Sequence, residues 1–268
     1  MITAICGQTQ SYPFEVQKTG EGSASMIFIP GFGCSGEVWD QTKANFEKDF
    51  SCYTLTMAGF AGVPAKGDPS FDYWKTSIAD FIKDSAIEKP ILVGHSMGGV
   101  LAMAIAADYP DLMDRIVVVD GLACLQALTN PSFTPLKDPD CSTMVAQITG
   151  ISDDKFYQMQ KTSIAQMVAD TSMRDEIIAW TVASDREVFA RMYCDFWNTD
   201  LREKISAIKC PVLVLLSSGM VNFKSGIQAQ FQNLKTADIQ FAKKGLHFIM
   251  FDDRQWYLDQ LTKFTARH

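Results

Sequence analysis

The sequence predicts an α/β protein built on a mostly parallel sheet that helices cover on both faces. Short runs of aliphatic residues alternate along the chain with segments of helical pattern, as in consecutive βαβ units. These runs are apolar at both alternating positions, which is typical of strands buried on two faces. With 268 residues, the chain is long enough for one large core with an insertion.

The elements follow in chain order. Residues 12–18 alternate between apolar and polar side chains, which predicts an antiparallel edge strand. Buried strands are predicted at residues 26–29, 52–56, 91–93, 116–119, 212–216 and 239–241. Helices are predicted at residues 38–48, 74–83, 97–109 and 254–266. The late strands and the final helix return the chain to the same sheet, so one core is expected.

The alternation fails between residues 125 and 204. This stretch has no convincing strand, carries three prolines in a loop, and shows helical patterns at 153–170 and 174–197. Methionines and aromatic residues are frequent in it. We therefore predict an α/β core formed by residues 1–124 and 205–268, with residues 125–204 as a helical cap insertion. Most of its apolar side chains should pack together, and some could line a pocket.

Composition excludes several classes of function. A net charge of −7 argues against nucleic-acid binding, which needs a cationic surface. No apolar run reaches the ~20 residues that span a bilayer. Three dispersed histidines cannot supply a metal cluster, and no glycine-rich dinucleotide fingerprint is evident, so we expect no metal and no cofactor. The seven cysteines lack CxxC spacing, which favours mostly buried free thiols.

The amino-terminal residues do not decide in which cellular compartment the protein works. Residues 2–6 are small and apolar but too few for the core of a signal peptide. They could be the remnant of a truncated one. Export to the periplasm or beyond is one hypothesis, and a cytoplasmic location is the alternative.

A serine between glycines is the strongest chemical signal. Ser96 stands in the sequence GHSMGG, directly after a predicted strand and at the start of a predicted helix. Glycines at such a turn remove the Cβ atoms that would collide, so the serine hydroxyl can be lifted off the sheet edge. The first amides of the helix then face whatever is bonded to that oxygen. Ser96 is therefore the candidate nucleophile, against the alternative of a turn serine without chemistry.

With these residues the chain resembles a capped α/β-hydrolase. GHSMGG resembles the nucleophile elbow of that family, and the Pro30–Gly33 segment PGFG resembles its oxyanion loop, where the family usually has His-Gly. Residues 56–62 stand where the family often has an Asp-x-x-Gly-x-Gly loop, here without the aspartate. The likeness extends from about residue 26 to 264 and is specific for fold and nucleophile, not for substrate.

Two backbone amides are expected to form the oxyanion hole. Attack on a carbonyl builds negative charge on its oxygen, which preorganised N–H donors would stabilise. One donor should be the amide of Met97, directly after the nucleophile, and the other the amide of Phe32 in the glycine-rich loop. The alternative for this loop is a plain tight turn.

The general base for Ser96 is chosen among the three histidines by elimination and by position in the chain. His95 is too constrained beside Ser96 to act on it, and His268 is the last residue. His247, between the last strand and the final helix, matches the loop histidine of the family and is the candidate base. A structural loop histidine is the alternative.

The acidic residue that would orient the base is harder to assign from the sequence. Most relatives place an acid after the strand at 212–216, yet residues 211–237 contain no carboxylate. Asp120 ends the strand that follows the elbow helix, and some relatives, including haloalkane dehalogenases and pancreatic-type lipases, take their acid from there. Neighbouring strand ends open onto one crevice, so Asp120 is our candidate. Asn222 is the runner-up, as a neutral group that orients the imidazole.

The predicted function is hydrolysis of a small to medium, partly hydrophobic carboxylic ester through an acyl-enzyme on Ser96. Thioesters and lactones are alternatives, because relatives cleave them with the same residues. Dehalogenase and epoxide hydrolase chemistry are disfavoured, since those relatives have aspartate at the position of Ser96. A small-molecule binding protein with vestigial turnover is the alternative from another class. Oligomeric state stays open.

Overall fold

A computed structural model describes residues 11–266 of the chain. Its centre is one seven-stranded sheet in the order β1-β3-β2-β4-β5-β6-β7, in which β1 pairs antiparallel with β3 and all other pairs are parallel. The strands are β1 Phe14–Thr19, β2 Ala24–Ile29, β3 Phe50–Met57, β4 Ile91–His95, β5 Arg115–Val119, β6 Val212–Leu216 and β7 Ala237–Phe241. The predicted fold class is confirmed, and so is the edge strand.

Helices cover both faces of this sheet. The α-helices are α1 Asp40–Lys43, α2 Phe71–Asp84, α3 Met97–Asp108, α4 Ser142–Thr149, α5 Asp153–Met167, α6 Arg174–Val182, α7 Arg186–Trp197, α8 Lys224–Gln230, α9 Ile249–Asp252 and α10 Arg254–Thr265. Short 3₁₀ helices lie at Gly36–Trp39, Gln126–Leu128, Thr171–Met173, Lys204–Ala207 and Ser218–Phe223. Between β5 and β6 the described chain is helical and adds no strand to the sheet.

Alternating residues of the central strands fall into two separate cores. In β2, Ile27 and Ile29 join one apolar cluster while Met26 and Phe28 join the other, and all four are fully buried. This pattern explains why the strands read as continuous apolar runs. Within residues 11–266, no helix has the length and apolarity needed to cross a membrane.

Two predicted helices are wrong in extent. Residues 38–48 form a 3₁₀ turn and the four-residue α1, followed by turns. The side-chain amide of Asn45 donates to the carbonyls of Gln41 (2.7 Å) and Thr42 (3.3 Å), and such bonds compete with helix continuation. The stretch 174–197 divides into α6 and α7, because the Asp185 carboxylate accepts from the Val188 amide at 2.9 Å and so starts a new helix.

Candidate active site

Ser96 occupies a strained turn between β4 and α3. Its backbone has φ 52° and ψ −122°, a region that L-residues rarely adopt. The Ser96 amide donates to the carbonyl of Val119 on the neighbouring strand, at 2.8 Å, which helps to fix the turn. A Cβ atom at Gly98 would lie 2.3 Å from the Ile29 carbonyl oxygen, so only glycine lets the helix approach β2 this closely. The strained serine is thus held by close packing on both sides.

Asp120 and His247 form a tight pair at the same edge of the sheet. His247 Nδ1 lies 2.7 Å from Asp120 Oδ2, and the other carboxylate oxygen accepts from the Ser217 amide at 2.6 Å. The Asp120 side chain is 1% exposed, and its backbone adopts a positive φ of 47° directly after β5. The Asp120 amide donates to the Leu215 carbonyl at 2.7 Å, so the neighbouring strand fixes its direction. A carboxylate held in this way fixes the orientation and the tautomer of the imidazole.

The other candidates for these roles lie apart from the pair. Asn222 is exposed in the 3₁₀ helix after β6, and within the described residues it has no hydrogen bond to His247. His268 lies outside the described residues. Asp120 is therefore the carboxylate that the structure brings to His247.

His95 has a role that the sequence did not predict. Its ring is buried, and its Nε2–H donates to the backbone carbonyl of His247 at 3.0 Å. The two imidazole centres lie 4.6 Å apart. Burial, and secondarily the nearby His247, lower the pKa of His95 well below its ordinary value of 6.5, so the ring stays a neutral donor. The residue before the serine thus holds the loop of the candidate base.

Ser96 and His247 face one cavity. The Ser96 hydroxyl has no hydrogen-bond partner within 3.5 Å among residues 11–266. Contacts between a serine and its base are often long without substrate and shorten when substrate binds. The position of the His247 ring beside His95 keeps it next to the turn that carries Ser96.

Two backbone amides near Ser96 are free to bind an oxyanion. In the described part of the chain, neither the Phe32 nor the Met97 amide donates to another residue. The loop that holds Phe32 is closed by a bond of 3.2 Å from the Cys34 amide to the Gly31 carbonyl. Gly33 has φ 71°, a value that glycine tolerates best. Neither amide is therefore engaged elsewhere among the described residues, and their assignment to an oxyanion hole stays a prediction.

The cavity over Ser96 has a volume of about 670 Å³. Helices between β5 and β6 supply much of its wall, with Met144, Ile148, Met167, Phe189, Tyr193 and Trp197 among the apolar contacts. Among the described residues that line it there is no Lys, Arg or Glu. Such a volume suits a small molecule, and such a wall suits a neutral one.

Cys34 also lines this cavity but is not a competing nucleophile. It is 1% exposed, and burial raises the pKa of its thiol to about 12. Because the thiolate is the reactive form, the thiol is inert at neutral pH. No group of three or more His, Cys, Asp or Glu side chains within residues 11–266 is placed to hold a metal ion.

The loop at residues 56–62 lacks the aspartate that the family often has there. It is hydrogen-bonded to the helical segment between β5 and β6. The Asp185 amide donates to the Gly59 carbonyl at 2.8 Å, and the Ala61 amide donates to the Ser184 hydroxyl at 3.1 Å. A Cβ atom at Gly59 would lie 2.5 Å from Val188, so α7 packs directly on this glycine. This loop thus anchors the start of α7 to the core.

Asp252 and one disulfide are further features that the sequence did not indicate. The Asp252 carboxylate accepts from the amides of Leu246 (2.8 Å), Ala169 (3.0 Å) and Asp170 (2.8 Å). It therefore joins the loop of His247 to the segment after α5. No pattern marks such a carboxylate, because its partners are backbone amides, and those of Ala169 and Asp170 are 83 and 82 positions away.

The prediction of mostly buried free thiols is confirmed for four of the six described cysteines. Cys34, Cys52, Cys124 and Cys210 are buried free thiols, and Cys6 lies outside the described residues. Cys141 and Cys194, however, form a disulfide between the start of α4 and α7. They are 53 positions apart, a separation that gives no spacing signal.

Comparisons with known proteins agree with this fold. The family model described as "Alpha/beta hydrolase family" matches residues 26–260. A pimeloyl-[acyl-carrier protein] methyl ester esterase from Cronobacter sakazakii is 23% identical over 256 residues, covering 94% of this chain and 96% of that protein. Among solved structures, the enol-lactonase from Burkholderia xenovorans has a TM-score of 0.77 at 16% identity, covering 95% of this chain and 96% of the other.

A further structure, a hydrolase from Pseudomonas aeruginosa, has a TM-score of 0.77 at 13% identity and covers 95% of this chain and 94% of its own. The chain belongs to the alpha/beta hydrolase family. This confirms the resemblance in the sequence and the prediction of a hydrolytic enzyme.

Proposed function

We propose that the protein is a serine esterase whose nucleophile is Ser96, with His247 as base and Asp120 as the carboxylate that orients it. The Asp120–His247 pair at 2.7 Å, opening onto the same cavity as the strained Ser96, is the observation that carries the proposal. The Ser217 amide donates to Asp120, and the His95 ring donates to the His247 carbonyl, so both members of the pair are held in place. Such support is what a preorganised site requires.

The chemistry follows from these positions. His247 takes the hydroxyl proton of Ser96 as the oxygen attacks the ester carbonyl, and the imidazolium is stabilised by Asp120. The negative charge on the carbonyl oxygen is bound by the amides of Phe32 and Met97. His247 then gives the proton to the departing alcohol, which leaves an acyl group on Ser96. Water, deprotonated by His247, releases the acid and restores the enzyme.

A neutral, partly hydrophobic carboxylic ester is the proposed substrate. The apolar wall and the lack of cationic groups among the described lining residues favour an uncharged acyl part. The name of the relative from Cronobacter sakazakii is that of a methyl ester esterase, which supports an ester over other bonds. A lactone is the second candidate, favoured by the likeness to an enol-lactonase.

We also propose that residues 125–204 act as the cap that closes the cavity. Helices from this segment supply Met144, Met167 and Tyr193 to the wall over Ser96. The bonds at Gly59 and Ala61 attach the segment to the core. Loss of the bonds at Gly59 and Ala61 should therefore change the preference among acyl chains more than the rate of attack by Ser96.

The proposed function is tested with p-nitrophenyl esters of increasing acyl length. We expect wild-type enzyme to hydrolyse short to medium esters, and Ser96→Ala to lower kcat by at least about 10⁴-fold. Ser132→Ala is the matched control, because Ser132 is exposed and is not among the residues that line the cavity. Equal hydrolysis by wild type and Ser96→Ala would refute the serine mechanism, and no hydrolysis of any of these esters by the folded wild type would favour a binding protein on a hydrolase frame.

For the compartment, we propose that the protein works where thiols are oxidised. The disulfide between Cys141 and Cys194 supports this, since such bonds are rare in reducing compartments. Alkylation of the protein at the moment of cell lysis, followed by mass spectrometry, tests it. Peptides carrying Cys141 and Cys194 should stay unmodified until a reductant is added, whereas alkylation of both in unreduced samples would place the protein in a reducing compartment.

A further inference from the structure

The buried side chain of Gln160 interrupts the apolar wall of the cap. Gln160 lies on α5 between Phe156 and Ile164, each four residues away on the same helical face. Those neighbours are 0% and 3% exposed, and Gln160 itself is 9% exposed. At such a position an aliphatic residue would continue the stripe and bury more apolar surface.

The amide of Gln160 faces the cavity rather than the protein. Gln160 is among the residues that line the cavity over Ser96. Within residues 11–266 its side chain makes no hydrogen bond. The amide atoms themselves are accessible from the cavity, where water solvates them until a polar group of the substrate takes its place. Its presence in an otherwise apolar stripe therefore points to a partner that arrives with the substrate.

Ser163 extends the same polar spot. It lies one helical turn after Gln160, lines the cavity, and has no side-chain hydrogen bond among the described residues. Together the two side chains offer one hydroxyl and one amide, hence both donors and acceptors and no charge. A neutral carbonyl, hydroxyl or amide matches this set. A carboxylate does not, because the described lining supplies no cation to balance it.

We propose that Gln160 and Ser163 form a subsite that binds a neutral hydrogen-bonding group on the acyl part of the substrate, away from the scissile ester. This inference rests on the proposed esterase function. It identifies the substrate as a neutral ester with a second polar group, rather than a plain hydrocarbon ester. A site built to hydrogen-bond a group discriminates against the analogue that lacks it.

The test uses a p-nitrophenyl ester of a medium-chain acid and isosteres in which one ketone oxygen is moved along the chain. For wild type, we expect one ketone position to raise kcat/KM by about three- to tenfold over the plain chain. Gln160→Leu should remove this preference and favour the plain chain. Gln158→Leu is the matched control, because Gln158 is exposed on the same helix and is not among the lining residues. A terminal carboxylate on the chain should lower kcat/KM in every variant.

Binding to Ser96→Ala separates the two proposals. If Ser96→Ala binds the preferred ketone ester three- to tenfold tighter than the plain ester, and the added Gln160→Leu change abolishes that difference, the subsite stands whatever the turnover. Equal hydrolysis of ketone and plain esters at every position, or a ketone preference that survives Gln160→Leu, would overturn the subsite alone. Hydrolysis that does not depend on Ser96 would instead overturn the esterase mechanism.

Discussion

Two regions around the cavity are built in opposite ways: the sheet edge that carries Ser96, Asp120 and His247, called the rim, and the helical lining from residues 125–204, called the wall. At the rim, polar side chains are held by several bonds, and the backbone is strained at both Ser96 and Asp120. In the wall, the side chains are mostly apolar, and the buried Gln160 has no hydrogen-bond partner within the described residues. The Asp120–His247 pair is thus already held without substrate, whereas the proposed Gln160 subsite gains its partner only with substrate. We therefore propose that reactivity resides in the core and selectivity in the helical segment 125–204.

The largest expected effect tests the rim. Asp120→Asn should lower kcat by about 10³- to 10⁴-fold, because a neutral amide neither fixes the His247 tautomer nor stabilises the imidazolium. Steady-state hydrolysis of a p-nitrophenyl ester measures it. Asn222→Ala is the control and should change kcat little. If Asn222→Ala removed activity while Asp120→Asn kept it, the assignment of the carboxylate would be wrong.

A smaller effect is expected from Asp252, whose hydrogen bonds connect the His247 loop to the segment after α5. Asp252→Ala removes the acceptor of three amides, which lie in the His247 loop and in the segment after α5. We expect a loss of about 2 kcal/mol in the free energy of unfolding and a lower kcat, since the base is held less firmly. Urea denaturation and hydrolysis rates measure the two effects. Asp259→Ala, on the outer part of α10, serves as control; an equal loss there would show that Asp252 has no special role.

The smallest effect concerns the pH dependence of stability. The pKa of buried His95 lies well below 6.5 in the folded chain and near 6.5 in the unfolded one. Below pH 6.5 the unfolded state therefore binds more protons, so stability is complete above that pH and falls as pH falls. The slope should approach about 1.4 kcal/mol per pH unit.

His95→Gln keeps a donor near the position of Nε2 but does not titrate, so it should lose this slope. Urea denaturation of both proteins between pH 5 and pH 7.5, roughly the range in which histidine titrates, measures the difference. Parallel curves for wild type and His95→Gln would mean that His95 takes up a proton as readily in the folded protein as in the unfolded one. That result would contradict its place as a neutral donor to the His247 carbonyl.

Much of the fold could be predicted from the sequence because its signals are local. Two-sided burial makes strands such as β4 and β6 continuous apolar runs, and glycines mark the strained turn at Ser96. The pairing of Asp120 with His247 could also be inferred, since ends of neighbouring parallel strands meet at one edge.

What could not be predicted depends on contacts between distant segments. The bond from His95 to the His247 backbone joins residues 152 positions apart, and no sequence pattern marks it. The same holds for Asp252, which binds backbone amides of any residue type, and for the pair Cys141–Cys194. The end of α1 at Lys43 could not be predicted either, because the side-chain amide of Asn45 competes for the backbone carbonyls there.

Reaction with a fluorophosphonate probe, followed by intact-mass and peptide analysis, tests the central claim most directly. The account predicts one adduct on wild-type protein, located on Ser96, formed slowly or not at all by His247→Ala, and absent from Ser96→Ala. Asp120→Asn should label more slowly than wild type, and Ser132→Ala at the same rate. Labelling of the folded protein at another residue, or at Ser96 with undiminished rate in His247→Ala, would contradict it.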